Sequence, residues 1–191
     1  MRYQPGHKVQ VHRKILEDAS RRVRAEGITG AAVSSVMRDA GLTHGGFYKH
    51  FGSKDDLLAE SLSAAFQEIA DRLTQAVVKS PPETAWKSIV KAYLSAAHCE
   101  HAELGCPLAA LASELARAGP SVKAPIRRDL IKYKNRMLPL MPGRRVFDKE
   151  RAFFAIFSTM IGAIAIARIL PDEAARARVL ASARDFLLRS F

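Results

Sequence analysis

Residues 43–51 read THGGFYKHF and combine two features that do not normally occur together in a helix. Two adjacent glycines each cost about 1 kcal/mol relative to alanine inside a helix. Phe47 and Phe51 nevertheless have the i, i+4 spacing of a buried helical pair, and a tyrosine, a lysine and a histidine lie between them. Because glycine has no Cβ atom, the stretch is predicted to be a short helix whose backbone closely approaches a binding partner.

The flanking residues place this short helix in a helix-turn-helix. Apolar residues at helical spacing predict a helix over 33–40, which Gly41 ends. Thr43 can cap the following helix over 44–50, and Ser53 opens a long helix from Lys54 to about residue 79. A two-turn helix is not stable alone, so its neighbours must hold it in place. In a helix-turn-helix the second helix enters the major groove of DNA.

The same residues resemble the signature of the TetR family of bacterial transcriptional regulators. That signature reads G-x-T-x-G-x-[aromatic/aliphatic]-Y-x-H-F followed by x-S-K-x-x-L-L, and residues 41–58 read GLTHGGFYKHFGSKDDLL. The resemblance implies a homodimer with a DNA-binding domain, assigned to residues 1–53, and a helical ligand-binding and dimerisation domain over 54–191. In that family ligand binding usually releases the DNA.

Carried over by position, the resemblance implies which residues contact DNA. Phosphate contacts are expected from Tyr48, His50 and Lys54, and contacts in the groove from Thr43, His44, Gly46 and Lys49. The chain departs from the family pattern at 31–32, where two alanines replace the usual Thr or Ser at the start of the second helix. Ser34 and Ser35 could supply the missing phosphate contact, and Thr29 could replace the missing cap.

The whole chain is predicted to be all-α, with about nine helices. Helical spacing recurs throughout, proline and glycine separate the segments, and no period-2 pattern persists. The predicted helices cover 8–26, 33–40, 44–50, 54–79, 83–98, 107–118, 121–138, 148–170 and 172–189, with a turn around 100–106.

The charge distribution points to a polyanionic partner. The net charge is +11, and residues 1–55 hold 10 Lys and Arg against 5 Asp and Glu. A second basic stretch, 117–151, holds 11 against 3. Five of its basic residues lie on one predicted helix and form either a solvated face or an entrance that attracts anionic ligands; they are Arg127, Arg128, Lys132, Lys134 and Arg136.

Composition favours a cytoplasmic protein with no membrane partner. Residues 1–14 contain no apolar core of a secretory signal. The apolar run 152–167 spans only about 24 Å of helix, less than a bilayer requires. Two cysteines, Cys99 and Cys106, are too few for a disulfide scaffold.

Two parts of the carboxyl-terminal region are assigned roles. The small-residue helix over 148–170 and the last helix are interpreted as a four-helix dimer interface. Buried aromatic and methionine side chains are candidates to line a ligand pocket, although such residues are more often plain core. The candidates are Trp86, Tyr93, Tyr133, Met137 and Phe157.

Cys106 has two interpretations. Its position at a predicted helix start, with histidines nearby at 98 and 101, could lower the thiol pKa and make it a redox or electrophile sensor. The alternative is a buried, unreactive cysteine. The segment 98–101, HCEH, does not have a common zinc spacing, so no metal site is expected.

The sequence therefore predicts a ligand-responsive, DNA-binding transcriptional regulator, more often a repressor than an activator, released from a palindromic operator by a small molecule. The alternatives are a thiol-sensing regulator and a helical small-molecule-binding protein or enzyme that does not act on DNA. Non-specific nucleic-acid packaging is disfavoured by the less basic carboxyl-terminal half. No catalytic constellation or nucleotide-binding loop is present, so neither enzyme activity nor a cofactor is expected.

Overall fold

The computed structural model describes residues 5–30 and 32–191, and side chains from His7 onward within them. The described part is all-α, as the sequence predicts, and contains nine α-helices and no strand. The helices are α1 (Pro5–Gly30), α2 (Val33–Asp39), α3 (Lys54–Ala76), α4 (Ala85–Tyr93), α5 (Ala96–Glu100), α6 (Pro107–Arg117), α7 (Pro120–Met137), α8 (Val146–Ile169) and α9 (Glu173–Ser190). Short 3₁₀ helices cover Pro82–Thr84, Ala102–Leu104 and Leu138–Leu140.

The segment between α2 and α3, His44–Lys49, is a 3₁₀ helix rather than the predicted α-helix. We call it the recognition segment. Its backbone bonds span three residues, from Gly46 N–H to the Thr43 carbonyl and from His50 N–H to the Phe47 carbonyl. Two glycines leave the segment with weak α-helical propensity, which accounts for the tighter, shorter turn.

Two glycines with positive φ set the path of the amino-terminal helices. Gly27, with φ 82°, interrupts α1 where the sequence predicts its end. Gly41, with φ 75°, ends α2, and the Leu42 N–H bonds back to the Met37 carbonyl. Both turns need a conformation that L side chains rarely adopt.

A continuous buried core joins the recognition segment to the rest of the chain. Helix α3 packs against α1 on one side and α7 on the other, and α8 pairs with α9. Buried residues in the amino-terminal part of this core are Ile15, Ala19, Val23, Val36, Met37, Phe47, Phe51, Leu57, Leu58 and Leu62.

The prediction of a single helix over 83–98 is wrong. The chain forms α4 and α5 with a break at Leu94, whose φ and ψ are −87° and 45°. Ser95 caps α5 by accepting a hydrogen bond from the His98 N–H at 3.2 Å. Hydroxyl side chains favour such caps over helix interiors, so the serine and the break belong together.

Helix α8 is longer than its predicted counterpart and begins at Val146, where Arg145 and Asp148 form a reciprocal cap. Its 24 residues, with a mean hydropathy of 2.0 over 18 of them, are long and apolar enough to cross a bilayer. One such helix is weak evidence for a membrane span, because core helices share these properties. One side of α8 is buried against the core; the other exposes apolar side chains such as Phe147, Phe154 and Ile169.

Candidate functional site

Buried aromatic residues hold the recognition segment against the helices around it. Phe47 and Phe51 are both buried, and their rings stack at 5.6 Å. The His12 ring of α1 stacks on Phe51 at 4.7 Å, and its Nε2 lies 3.0 Å from Glu60 of α3. These contacts tie the segment to both neighbouring helices, as a two-turn element requires.

The residues expected to contact DNA lie on the outside of this scaffold. Tyr48 has 73% of its surface exposed, a high value for a large aromatic side chain. Ser34, Thr43, His44, Lys49 and Lys54 are also exposed, while Ser35, Gly46 and His50 are partly buried. The structure therefore brings all nine predicted residues to the region of α2, the recognition segment and the start of α3.

The two glycines of the segment face different surroundings. A Cβ atom on Gly45 would meet nothing within 4 Å, whereas one on Gly46 would lie 3.6 Å from the Met37 side chain. Neither glycine has positive φ among the described residues, so neither is required by backbone conformation. The open space at Gly45 allows the close backbone approach expected from the sequence.

Local electrostatics around the segment favour an anion. Burial lowers the pKa of His50, and the neighbouring charges of His12, Lys8 and Lys49 lower it further. The buried Nδ1 atom of His50 has no hydrogen-bond partner among the described residues. Such a cluster of basic groups repels additional positive charge and attracts phosphate.

Lys54 occupies a position that is unfavourable for a lysine without a partner anion. It is the first residue of α3, at the positive end of the helix dipole. Ser53 caps the helix by accepting a hydrogen bond from the Asp56 N–H at 3.1 Å, which confirms the predicted cap. A phosphate beside Lys54 would interact with both the ammonium group and the helix terminus.

The start of α2 has no side-chain cap. Ala32 occupies the capping position and has no side chain that could cap the helix; Ala31 lies outside the described residues. Thr43 likewise stands at the capping position of the recognition segment without such a bond. A free Thr43 hydroxyl remains available for an external partner.

Comparison with known proteins supports this description. Residues 15–61 match the family described as bacterial regulatory proteins, tetR family. Residues 15–61 thus carry the sequence pattern of the TetR family of bacterial regulatory proteins. The match covers α1 from Ile15 onward, α2, the recognition segment and the beginning of α3.

Solved structures extend the likeness over the whole chain. A TetR transcriptional regulator from Chloroflexus aurantiacus superimposes with a TM-score of 0.79 and 21% identity, covering 96% of this chain and 95% of that chain. A TetR-family regulator from Cytophaga hutchinsonii gives 0.76 and 17%, covering 98% of each. The reduced form of E. coli NemR gives 0.74 and 15%, covering 94% and 96%. No curated protein sequence matches at a significant level. At these identities the likeness shows that the TetR fold spans both parts of the chain.

The predicted pocket residues of this TetR-fold chain are all buried. Tyr93 and Tyr133 both pack edge-on against Phe157, with ring centroids 6.2 and 5.4 Å away. Trp86 instead packs edge-on against Phe191. The structure thus groups two tyrosines around one phenylalanine and gives the tryptophan a different aromatic neighbour.

The basic residues of α7 do not form one free face. Arg136 pairs with Asp71 at 2.7 Å and Lys134 with Glu150 at 2.5 Å, and Lys132 contacts Asp129 at 3.3 Å. Arg127 and Arg128 are exposed. Pairing of three of the five side chains favours a solvated, partly neutralised face over an anion entrance.

Cys106 occupies the predicted helix start, but its surroundings reverse the effect expected on its pKa. The thiol is buried, and burial raises its pKa more than the nearby Tyr93 hydroxyl and the α6 amides lower it. His98 offers no compensating charge, because burial lowers its pKa to about 4. Cys99 is buried as well, and both thiols are free.

We therefore expect Cys106 to resist labelling in the folded protein. At pH 7 a thiol-specific reagent should modify neither cysteine until denaturant unfolds the chain, since the thiolate is the reactive form. Mass spectrometry after timed exposure to iodoacetamide measures this. A Ser113→Cys variant, exposed on α6, is the reactive control. Rapid labelling of native Cys106 would favour the sensor interpretation.

A buried polar network, which the sequence interpretation missed, joins α1 to α3 and to residues 98–106. The Arg24 guanidinium of α1 is buried and donates to the Gly105 carbonyl at 2.9 Å and to Glu68 of α3 at 2.8 Å. The next amide, Cys106 N–H, donates to His98 Nε2 at 2.9 Å. His98 Nδ1 lies 2.6 Å from the Tyr93 carbonyl and donates to it.

A second arginine holds the same region from the opposite side. Arg168 of α8 donates to the Cys99 carbonyl at 3.0 Å and to the His98 carbonyl at 2.8 Å. Toward the carboxyl end of α6, the Glu114 carboxylate accepts a hydrogen bond from the Ile28 N–H of α1 at 2.8 Å. A movement of residues 98–106 would therefore change the hydrogen bonds that these residues make with Arg24 of α1 and with Arg168 of α8.

Proposed function

We propose that the protein is a homodimeric, ligand-responsive transcriptional regulator that binds a palindromic operator, acts as a repressor and is released from DNA by a small molecule. Residues 1–53 would form the DNA-binding domain and 54–191 the ligand-binding and dimerisation domain. The protein would act in the cytoplasm, by binding rather than by catalysis. The observation that carries the proposal is the recognition segment, whose exposed polar residues project from a buried aromatic anchor.

The exposed apolar face of α8 and α9 supports a dimer. Phe147, Phe154, Ile166 and Ile169 of α8 and Phe186 of α9 are each more than half exposed. An exposed apolar patch of this kind marks an interaction surface. Pairing two copies through it would form a four-helix interface and present two recognition segments to one DNA duplex.

The experiment that tests the proposal compares two kinds of substitution on DNA binding. Lys54→Ala should weaken binding to all sequences alike and reduce the salt slope by about one, because one phosphate contact is lost. His44→Ala should instead change the preferred sequence, since His44 faces the groove rather than the phosphates. Fluorescence anisotropy on a duplex selected from random DNA, measured at several salt concentrations, separates these effects.

The control for this experiment is Lys87→Ala, which removes one positive charge from α4, outside the proposed interface. Its salt slope should equal that of the wild type. If Lys54→Ala behaved like this control, Lys54 would have no phosphate contact.

A further inference from the structure

Three buried hydrogen-bond donors in the carboxyl-terminal core lack a strong acceptor. The Tyr133 hydroxyl and the Nη1 atom of Arg168 have no partner among the described residues, and the Tyr93 hydroxyl faces only the Cys106 thiol, a weak acceptor. Native proteins pair most buried polar groups, since leaving a donor unpaired in the interior costs free energy. Three such donors in one region call for a specific explanation.

The two tyrosines share an aromatic neighbour, and Arg168 lies near one of them. Both tyrosine rings pack edge-on against Phe157. The Cys106 thiol lies close enough to each tyrosine hydroxyl to influence its pKa, and Arg168 influences that of Tyr93. Arg168 cannot swing away freely, because its other two nitrogens are held by the carbonyls of residues 98 and 99.

All three groups act as hydrogen-bond donors. Burial raises the pKa of both tyrosines well above the usual range, so their hydroxyls stay protonated and can donate. A guanidinium donates and never accepts. The rings of Phe66, Phe153 and Phe157, with centroids 5.4–6.4 Å from that of Tyr133, supply apolar walls. Three donors in an aromatic environment suit a ligand with an anionic acceptor on a flat or apolar body.

We propose that Tyr93, Tyr133 and Arg168 form an interior binding site for a small carboxylic acid, bound as its carboxylate. The acid's two oxygens accept the hydrogen bonds that the folded chain leaves unmade, and its apolar body packs against the phenylalanines. The site itself does not depend on DNA binding. Its role as the effector site rests on the function proposed above.

The route to this site runs between α3 and α7. Tyr133 borders a cavity of about 80 Å³ there, lined also by Ser63, Asp129 and Arg136. This volume holds a few water molecules and not an aromatic acid. The Ser63–Asp129 hydrogen bond and the Arg136–Asp71 ion pair close the cleft, so ligand entry requires the two helices to separate.

Binding at this site would reach the DNA-binding domain through Arg168. A carboxylate that engages the free Nη1 atom would shift the guanidinium whose Nε and Nη2 atoms hold the carbonyls of residues 99 and 98. His98 in turn accepts the Cys106 N–H, and the adjacent Gly105 carbonyl is bound by Arg24 of α1. The bound acid would therefore act on residues 98–106, the segment to which Arg24 of α1 is hydrogen-bonded.

The test measures ligand binding directly, without DNA. Isothermal titration calorimetry is carried out with benzoate, cinnamate and octanoate and with the primary amide of each. At least one carboxylate should bind, and at least about tenfold more tightly than its amide, because a charge-assisted hydrogen bond is lost. Tyr93→Phe and Tyr133→Phe should each weaken that binding about tenfold, and Arg168→Lys should weaken it further.

Two controls separate this site from other sources of affinity. Tyr48→Phe removes an exposed hydroxyl, and Arg127→Gln removes an exposed cation of α7; both should leave affinity unchanged. Without ligand, Tyr133→Phe should raise the Tm by about 2–4 °C, because it removes an unpaired buried hydroxyl. This second readout shows that the variant is folded and tests the unpaired state of the hydroxyl.

Each other result counts against the proposal. If none of the three carboxylates binds, or the amides bind equally well, the ligand class is wrong. If the tyrosine variants bind as the wild type does, the site is wrong. If a carboxylate binds through these residues and the DNA complex stays intact, the binding site is correct but the ligand is not an effector.

Discussion

A Gly162→Glu variant should be folded, monomeric and at least about a hundredfold weaker than the wild type in binding DNA. A Cβ atom on Gly162 would meet nothing within 4 Å in the isolated chain, so the substitution creates no clash there. Replacing glycine inside a helix also favours helix formation by up to about 1 kcal/mol. A loss of dimerisation and DNA binding in this variant must therefore arise from contacts with a second subunit.

The physical cause is desolvation at the proposed dimer interface. The carboxylate would be placed on a face whose neighbours, Phe154 and Ile166 among them, are exposed and apolar. Burying it there against an apolar partner is unfavourable. A monomer engages one half-site only and loses the gain from simultaneous binding of two.

Sedimentation velocity and fluorescence anisotropy measure the two effects on one preparation. Ser113→Glu adds the same charge to the exposed surface of α6 and is the matched control, expected to remain dimeric. An intact dimer of Gly162→Glu would show that the interface lies away from this part of α8.

The second large effect is a loss of stability at acidic pH caused by His98. Burial lowers the pKa of this histidine from 6.5 to about 4 in the folded protein, while the unfolded chain titrates near the ordinary value. Between these two pH values the unfolded chain binds more protons than the folded one. Stability contributed by neutral His98 is therefore complete above pH 6.5 and is lost as the pH falls toward 4, by about 3 kcal/mol.

Urea unfolding at pH 7, 5.5 and 4 tests this effect. Other groups also titrate in this range, so the informative quantity is the difference between wild type and His98→Gln. The variant should be less stable at pH 7, because the hydrogen bonds to Cys106 N–H and the Tyr93 carbonyl are perturbed, and should lose less stability on acidification. The control is His101→Gln, which changes a solvent-exposed histidine. Equal acid sensitivity of His98→Gln and wild type would show that His98 is not the group responsible.

Much of the fold could be predicted because local signals marked it. Gly27 and Gly41 take the positive φ that ends helices, and Ser53 caps the helix that follows it. Apolar spacing located α7, α8 and α9 to within a few residues. Where local preferences conflicted, prediction was wrong. Ser95 inside an otherwise helical stretch signalled a break, and the paired glycines of the recognition segment signalled a non-ideal helix.

The candidate DNA-contact residues were predicted from a local motif. The buried polar network instead joins residues that are far apart in the sequence. Arg24 and Gly105 are 81 positions apart, and Arg168 and Cys99 are 69 apart. Neither arginine differs in sequence context from an ordinary solvated one, so no local pattern identifies them. The sequence left the two interpretations of Cys106 open for the same reason. The helix start is visible in sequence, whereas the burial that outweighs it is a property of the tertiary packing.

The most direct measurement is the affinity of Tyr48→Ala/Lys54→Ala for the duplex selected by the wild-type protein. Tyr48 in the recognition segment and Lys54 at the start of α3 are both exposed and contribute little to the core, so the double variant should fold normally. Removing two phosphate contacts per subunit should weaken binding at least about tenfold at 150 mM salt. Arg127→Ala/Arg128→Ala removes two exposed cations elsewhere and should bind with no more than about a twofold change. A double variant that binds this duplex as tightly as the wild type would contradict the assignment of this helix-turn-helix to DNA.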